Sequence, residues 1–193
     1  MEQQEIRKIL EETLSSLGGS DRTYTELIKA LTKDKTLKFA SRPLPGQMLF
    51  FKYEPVDEGF LNKVNTYYDV FPLILLTDVT RHGFEGINLH YLDTEKRKFL
   101  FESITDSYPI LKSTDQISNR VSVDYRSLKS RRRMRFFKPC YRKYRWEGMK
   151  RRPILVPFPY WKPFVEADTG FFIGKRKPSV YRDSNTKIAR GNL

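Results

Sequence analysis

Hydrophobic residues in the first third of the chain recur with helical spacing. Ile6, Ile9, Leu10, Leu14 and Leu17 fall at three- and four-residue steps, and Gly18-Gly19 follows as a stop. Thr23 and Glu26 have capping-box spacing, and Tyr24, Leu27, Ile28 and Leu31 form the next apolar stripe. The two stripes predict a helical hairpin within residues 1–40.

From Pro43 the pattern changes to short, aromatic-rich runs: Met48-Leu49-Phe50-Phe51-Lys52-Tyr53, then Tyr67 to Leu76, then Phe84 to Tyr91. Each reads as a strand, with Arg81-His82-Gly83 as the turn between the last two and Pro72 as a bulge or edge position. Such strands suit a small, half-open barrel of SH3 type better than a parallel sheet. Alternate positions share a face, so Met48, Phe50, Phe71, Leu73, Leu75, Ile87 and Leu89 are expected to line the barrel interior.

Residues 93–105 return to helical spacing, with Asp93 or Thr94 as cap and Phe99, Leu100 and Ile104 facing inward. Val121, Val123 and Tyr125 alternate like a strand. The run from Arg152 to Phe164 holds four prolines and is expected to be extended on a surface or sheet edge. Past Gly170 there is little to bury, so a tail is expected there that orders only on a partner. The chain thus reads as α+β: an N-terminal helical hairpin (1–40), a β-rich SH3-like core with one further helix (43–125), a basic segment (126–152), and a Pro-rich strand with an extended basic C-terminal arm (153–193).

Charge adds a function to this outline. The 193 residues carry a net +13, and between Arg126 and Arg152 thirteen basic residues face one acid, Glu147. The rest of the chain has 23 basic and 22 acidic residues, so the excess is a local device aimed at a polyanion. A weaker cluster, Lys175, Arg176, Lys177, Arg182, Lys187 and Arg190, lies in the tail against Asp183. In the run from Arg131 to Trp146, guanidinium groups alternate with Phe136, Phe137, Tyr141, Tyr144 and Trp146. Cations neutralise phosphates and interleaved rings stack on bases or pack the segment onto the core. The same run also fits an acidic protein face. The candidate nucleic-acid-binding residues are Arg126, Lys129, Arg131, Arg132, Arg133, Arg135, Arg142, Lys143, Arg145, Lys150, Arg151, Arg152, Lys175, Arg176 and Lys177.

Catalytic chemistry finds little support. The single cysteine, Cys140, excludes an intramolecular disulfide, and with His82 and His90 it cannot assemble a Cys/His zinc site. Cations around Cys140 favour a reactive thiol, but a buried apolar role is the expectation. His90, in a strand pattern, and His82, in a turn, read as packing or surface residues. Asp57, Glu58, Asp69, Asp78 and Glu85 show no spacing suited to two-metal chemistry, and no phosphate-cradling glycine loop occurs. The expectation is a non-enzyme without cofactor, metal or small-molecule substrate. No apolar run approaches the ~18 residues of a membrane span, and the N-terminus is too polar for a signal peptide, so the protein is expected in, or assembled in, cytoplasm.

Three segments carry a resemblance: Pro45 to Tyr53 (PGQMLFFKY), Tyr67 to Leu73 (YYDVFPL) and Gly83 to Leu92 (GFEGINLHYL), with Phe137-Lys138-Pro139-Cys140 downstream. Together, over residues 43–145, they resemble the DNA end protector-like virion proteins of contractile-tailed bacteriophages. The resemblance implies a non-enzymatic virion protein, assembled in the host cytoplasm, that binds the end of packaged double-stranded DNA and shields it from exonuclease. Its other partners would be portal, neck or baseplate subunits. The alternative is a structural adaptor of the tail or baseplate whose basic arms grip acidic neighbours.

Overall fold

The computed structural model describes residues 37–56, 67–106, 138–167 and 169–190, and residues 4–5, 8–10, 12, 25–26 and 28–30, which are helical. Six strands form one antiparallel sheet: β1 (Lys38–Phe39), β2 (Met48–Phe50), β4 (Leu73–Val79), β5 (Gly83–Asn88), β6 (Tyr141–Arg145) and β7 (Ile154–Val156). Their spatial order is β1-β7-β2-β4-β5-β6. β3 (Tyr68–Asp69) pairs separately with β8 (Phe172–Ile173), Asp69 opposite Phe172. Beyond the N-terminal helical residues, the α-helices among the described residues are α1 (Thr94–Asp106), α2 (Trp161–Glu166) and α3 (Lys177–Arg190).

Strand pairing follows the expected period. Leu49 stands opposite Ile74 and Leu75 opposite Ile87, so odd and even positions sort to two faces. Met48, Phe50, Phe71, Leu73, Leu75, Ile87 and Leu89 are all buried in one cluster, which Leu10 and Ile28 of the N-terminal helical residues join. The Arg81-His82-Gly83 turn is closed by the Thr80 amide donating to the Gly83 carbonyl at 2.8 Å. Asp93 caps α1, its Oδ1 accepting from the Lys96 amide at 3.0 Å. Pro72 lies where the chain leaves β3 for β4.

Four expectations are corrected. Among the described residues the six strands make an open sheet with β1 and β6 as its edges, not a closed barrel, and the expected half-open barrel of SH3 type is not seen. Closure is unnecessary because the second face is covered by its own aromatic layer: Leu49, Phe51, Ile74, Leu76 and Phe84 pack with Tyr53 and Tyr144. The Pro-rich segment does not lie on a sheet edge. Its strand β7 sits between β1 and β2, while Pro159 falls in a 3-10 turn and Pro163 in the first turn of α2, where a missing amide is tolerated.

Phe99 does not face inward; it is 58% exposed, because Arg97, Leu100 and Phe101 occupy the buried side of α1. The side chain of Ile104, the Gly18-Gly19 turn and the 121–125 strand expectation lie outside the described residues.

The C-terminal segment is helix α3 rather than an extended arm. Val180 and Ser184 are buried and Ile188 packs at the next turn, a stripe too narrow and too polar to register as amphipathic. Polar docking compensates. Asn185 Nδ2 donates to Asp93 at 3.3 Å, the Tyr67 hydroxyl donates to Asp183 at 3.4 Å, and Lys175 pairs with Asp183.

Two outcomes follow for stability. Phe71→Ala lowers the unfolding free energy by about 3–5 kcal/mol in denaturant titration, and a loss under about 1 kcal/mol contradicts its central burial. In amide exchange, Val180 to Ser184 are protected relative to an unfolded peptide; exchange at the unfolded rate would contradict the docked helix.

Candidate nucleic-acid interface

β6 brings the basic sequence to the edge of the sheet. It lies close against β5 because β5 carries glycine where the strands meet: a Cβ at Gly83 would stand 1.9 Å from the Tyr144 carbonyl oxygen. Alternation then divides β6. Tyr144 turns inward and stacks on Phe84 with centroids 5.3 Å apart, while Lys143 and Arg145 are exposed.

Arg142 is half-buried, and its guanidinium lies 4.0 Å over the Tyr91 ring and donates to the Tyr141 carbonyl at 2.9 Å. Burial works against its charge, but Tyr91, Tyr144 and Cys140 nearby together outweigh it, and its pKa rises. Neither Arg142 nor Arg145 makes an ion pair with a carboxylate among the described residues.

Between β6 and the segments 53–56 and 67–69 opens a cleft of about 560 Å³, lined by Tyr53, Tyr67, Tyr68, Tyr91 and Tyr141 together with Arg142 and Arg145. Burial raises the pKa of Tyr53, Tyr68 and Tyr91, and pushes that of Tyr67 up to about 12, with the Asp183 carboxylate adding to the effect. The cleft therefore presents neutral phenols at physiological pH. The Tyr67 and Tyr91 rings are 6.0 Å apart, and the Lys175 ammonium lies 5.0 Å from the Tyr67 centroid. Arg142, from the basic segment, and Lys175, from the C-terminal cluster, thus flank one pair of neighbouring tyrosines.

Asp69 anchors this region from beneath. Its carboxylate accepts from the amides of Phe71 at 3.2 Å and Phe171 at 3.3 Å, from Asn88 Nδ2 at 3.0 Å and from His90 Nδ1 at 2.8 Å. The other His90 ring nitrogen, Nε2, is hydrogen-bonded to the Thr169 hydroxyl, 2.7 Å away. This aligned acid, imidazole and hydroxyl resembles a nucleophile triad in spacing. All three residues are buried, with His90 at 0% and Thr169 at 3% exposure, and the array packs beneath the cleft. Gly170 completes it, since a Cβ there would lie 2.9 Å from that of His90.

The candidate residues distribute unevenly. Arg142 enters the cleft and Arg145 stands exposed beside it. Lys143 is exposed but bound to Glu85 at 2.8 Å, and this hydrogen bond raises its pKa. Lys150 pairs with Glu54 at 3.1 Å, and Arg151 and Arg152 are exposed ahead of β7. Lys175 is tied to Asp183, with Arg176 exposed and Lys177 half-buried at the start of α3. Arg126, Lys129, Arg131, Arg132, Arg133 and Arg135 lie outside the described residues, as do Asp57 and Glu58 of the carboxylates considered for metal binding.

Sequence reasoning missed the tyrosines at 67, 68 and 91. Their signal was the aromatic density of the YYDVFPL and GFEGINLHYL segments. Among the described residues no three His, Cys, Asp or Glu gather as a metal site, and no helix is long and apolar enough to cross a membrane.

The model of the family described as "Phage T4 terminal DNA protecting protein" matches residues 3–136. No curated protein and no solved structure matches the chain.

Cys140 is buried and its thiol is pushed up to about 12 by burial, so the neighbouring cations do not make it reactive. An aqueous thiol reagent at pH 8 labels it only after denaturation; rapid labelling of the native protein would contradict the burial.

Proposed function

The chain belongs to the phage T4 terminal DNA protecting protein family, and from that premise we propose that it is a non-enzymatic virion protein that binds the end of packaged double-stranded DNA and shields it from exonuclease. The family description supports a bacteriophage protein acting in terminal DNA protection. In finer detail, the exposed cations of the basic segment hold the duplex near its end, where head-neck proteins such as the portal are its neighbours.

The observation that carries this proposal is that one cation from each basic cluster lies over a ring of the same tyrosine pair. Arg142 and Lys175 are more than thirty positions apart in sequence, yet each lies over one ring of the Tyr91–Tyr67 pair. Phosphate neutralisation by Lys and Arg releases counterions and supplies affinity independent of sequence, which suits a protein that must accept any terminus. Arg131, Arg132 and Arg133 are assigned to this duplex contact with the exposed Arg151 and Arg152.

The test is protection of linear duplex from a double-strand exonuclease across a salt series. The protein slows degradation from the ends, and its duplex affinity falls linearly in log–log form with salt. Replacing Arg131, Arg132 and Arg133 with glutamine weakens binding alike for all sequences and flattens the slope by up to about 0.9 for each phosphate no longer neutralised. Absence of duplex affinity and of end protection at physiological salt would favour the tail or baseplate adaptor instead.

A further inference from the structure

We propose that the cleft beside β6 is a pocket for the unpaired terminal nucleotide of a DNA strand, with the base against the tyrosine rings and its phosphate on Arg142 and Arg145. This deepens the end-binding proposal and rests on it: phosphate contacts along a duplex do not distinguish an end from the middle, and a pocket for a free nucleotide does.

Two features of the cleft and one of DNA support this occupant. Its volume of about 560 Å³ falls in the range of roughly 300–1,000 Å³ typical of small-molecule sites. A paired, stacked duplex offers no free base to it, whereas a frayed or overhanging end does. The half-buried rings of Tyr68 and Tyr141 line it, and such rings stack on any base, so a pocket of this kind tolerates any terminal sequence.

The electrostatics select a phosphate. Arg142 is held in place by the Tyr91 face and the Tyr141 carbonyl, so its charge is positioned without being neutralised. A half-buried guanidinium lacking a carboxylate partner among the described residues is favoured by an incoming anion. The acids lining the same cleft are engaged elsewhere: Asp69 is saturated by four donors, and Glu85 binds Lys143 and the Tyr141 hydroxyl. They leave the arginines as the groups that meet a phosphate.

The experiment compares a duplex with open ends, one strand carrying a short thymidine overhang, with a duplex of the same sequence closed by hairpins at both ends. A 5-iododeoxyuridine at the overhang terminus is the photochemical probe. The wild-type protein binds the open duplex more tightly than the closed one, and the probe cross-links to peptides containing Tyr53, Tyr68 or Tyr141. Arg145→Gln and Tyr68→Leu each lower the open-to-closed affinity ratio by about 10-fold, the scale of a single stacking or charge-assisted interaction.

Open-end preference with cross-links only outside the cleft, or with no cross-link, overturns the pocket and leaves end binding intact. An unchanged ratio in both variants does the same. Equal wild-type affinity for the two duplexes overturns the pocket and the end-binding proposal together. The cross-link is read on the wild-type chain, so a variant that folds poorly does not spare the proposal.

Discussion

A single buried carboxylate, Asp69, holds together the end of the molecule that carries the cleft. It accepts four hydrogen bonds, from the chain just after β3, from the side chain at the end of β5, from His90 and from the segment entering β8. An isolated buried charge is strongly unfavourable, so each donor is needed to keep the others in place. The consequence reaches the surface. Tyr67 and Tyr68 precede Asp69, and Tyr91 follows His90 and packs on Phe172, so fixing one carboxylate fixes these tyrosine rings of the cleft. The Asp69, His90 and Thr169 array, which looks like chemistry on paper, is the frame of that cleft.

The sheet supplies the rigid platform on which this frame rests. Both of its faces are apolar, one against the helices and one under an aromatic layer of Phe51, Tyr53, Phe84 and Tyr144. The edge strand β6 is left to carry charge, and an edge with Lys and Arg resists pairing with another strand. Several cations are neutralised locally, as in the Lys143–Glu85 and Lys150–Glu54 pairs. Arg142 and Arg145 make no ion pair with a carboxylate among the described residues, and under the proposed function they and the exposed cations supply the field that draws a polyanion.

Much of the core was legible because period-2 alternation is local: Met48, Phe50, Leu73, Leu75 and Ile87 share a face wherever their strands pair. The open sheet was not legible, since it depends on β7 inserting beside β2, roughly a hundred residues along the chain. The unbroken apolar run through Leu73-Ile74-Leu75-Leu76 did carry the mark of burial on both faces. Helix α3 escaped because its docking is polar, through Asp183 and Asn185, and composition measures apolar content. For the site, charge density singled out Arg142. Its partners Tyr91 and Tyr67 come from segments distant in sequence, as does the Asp69–His90 hydrogen bond, and only the fold brings them together.

The central claim is that this family member covers the terminus of DNA rather than its length. Hydroxyl-radical footprinting on a linear duplex, labelled on each strand in turn, measures this directly at physiological salt. The account predicts protection confined to the nucleotides nearest each end, with the interior cleaved as in free DNA. Uniform protection along the duplex, or none at the ends, would contradict it.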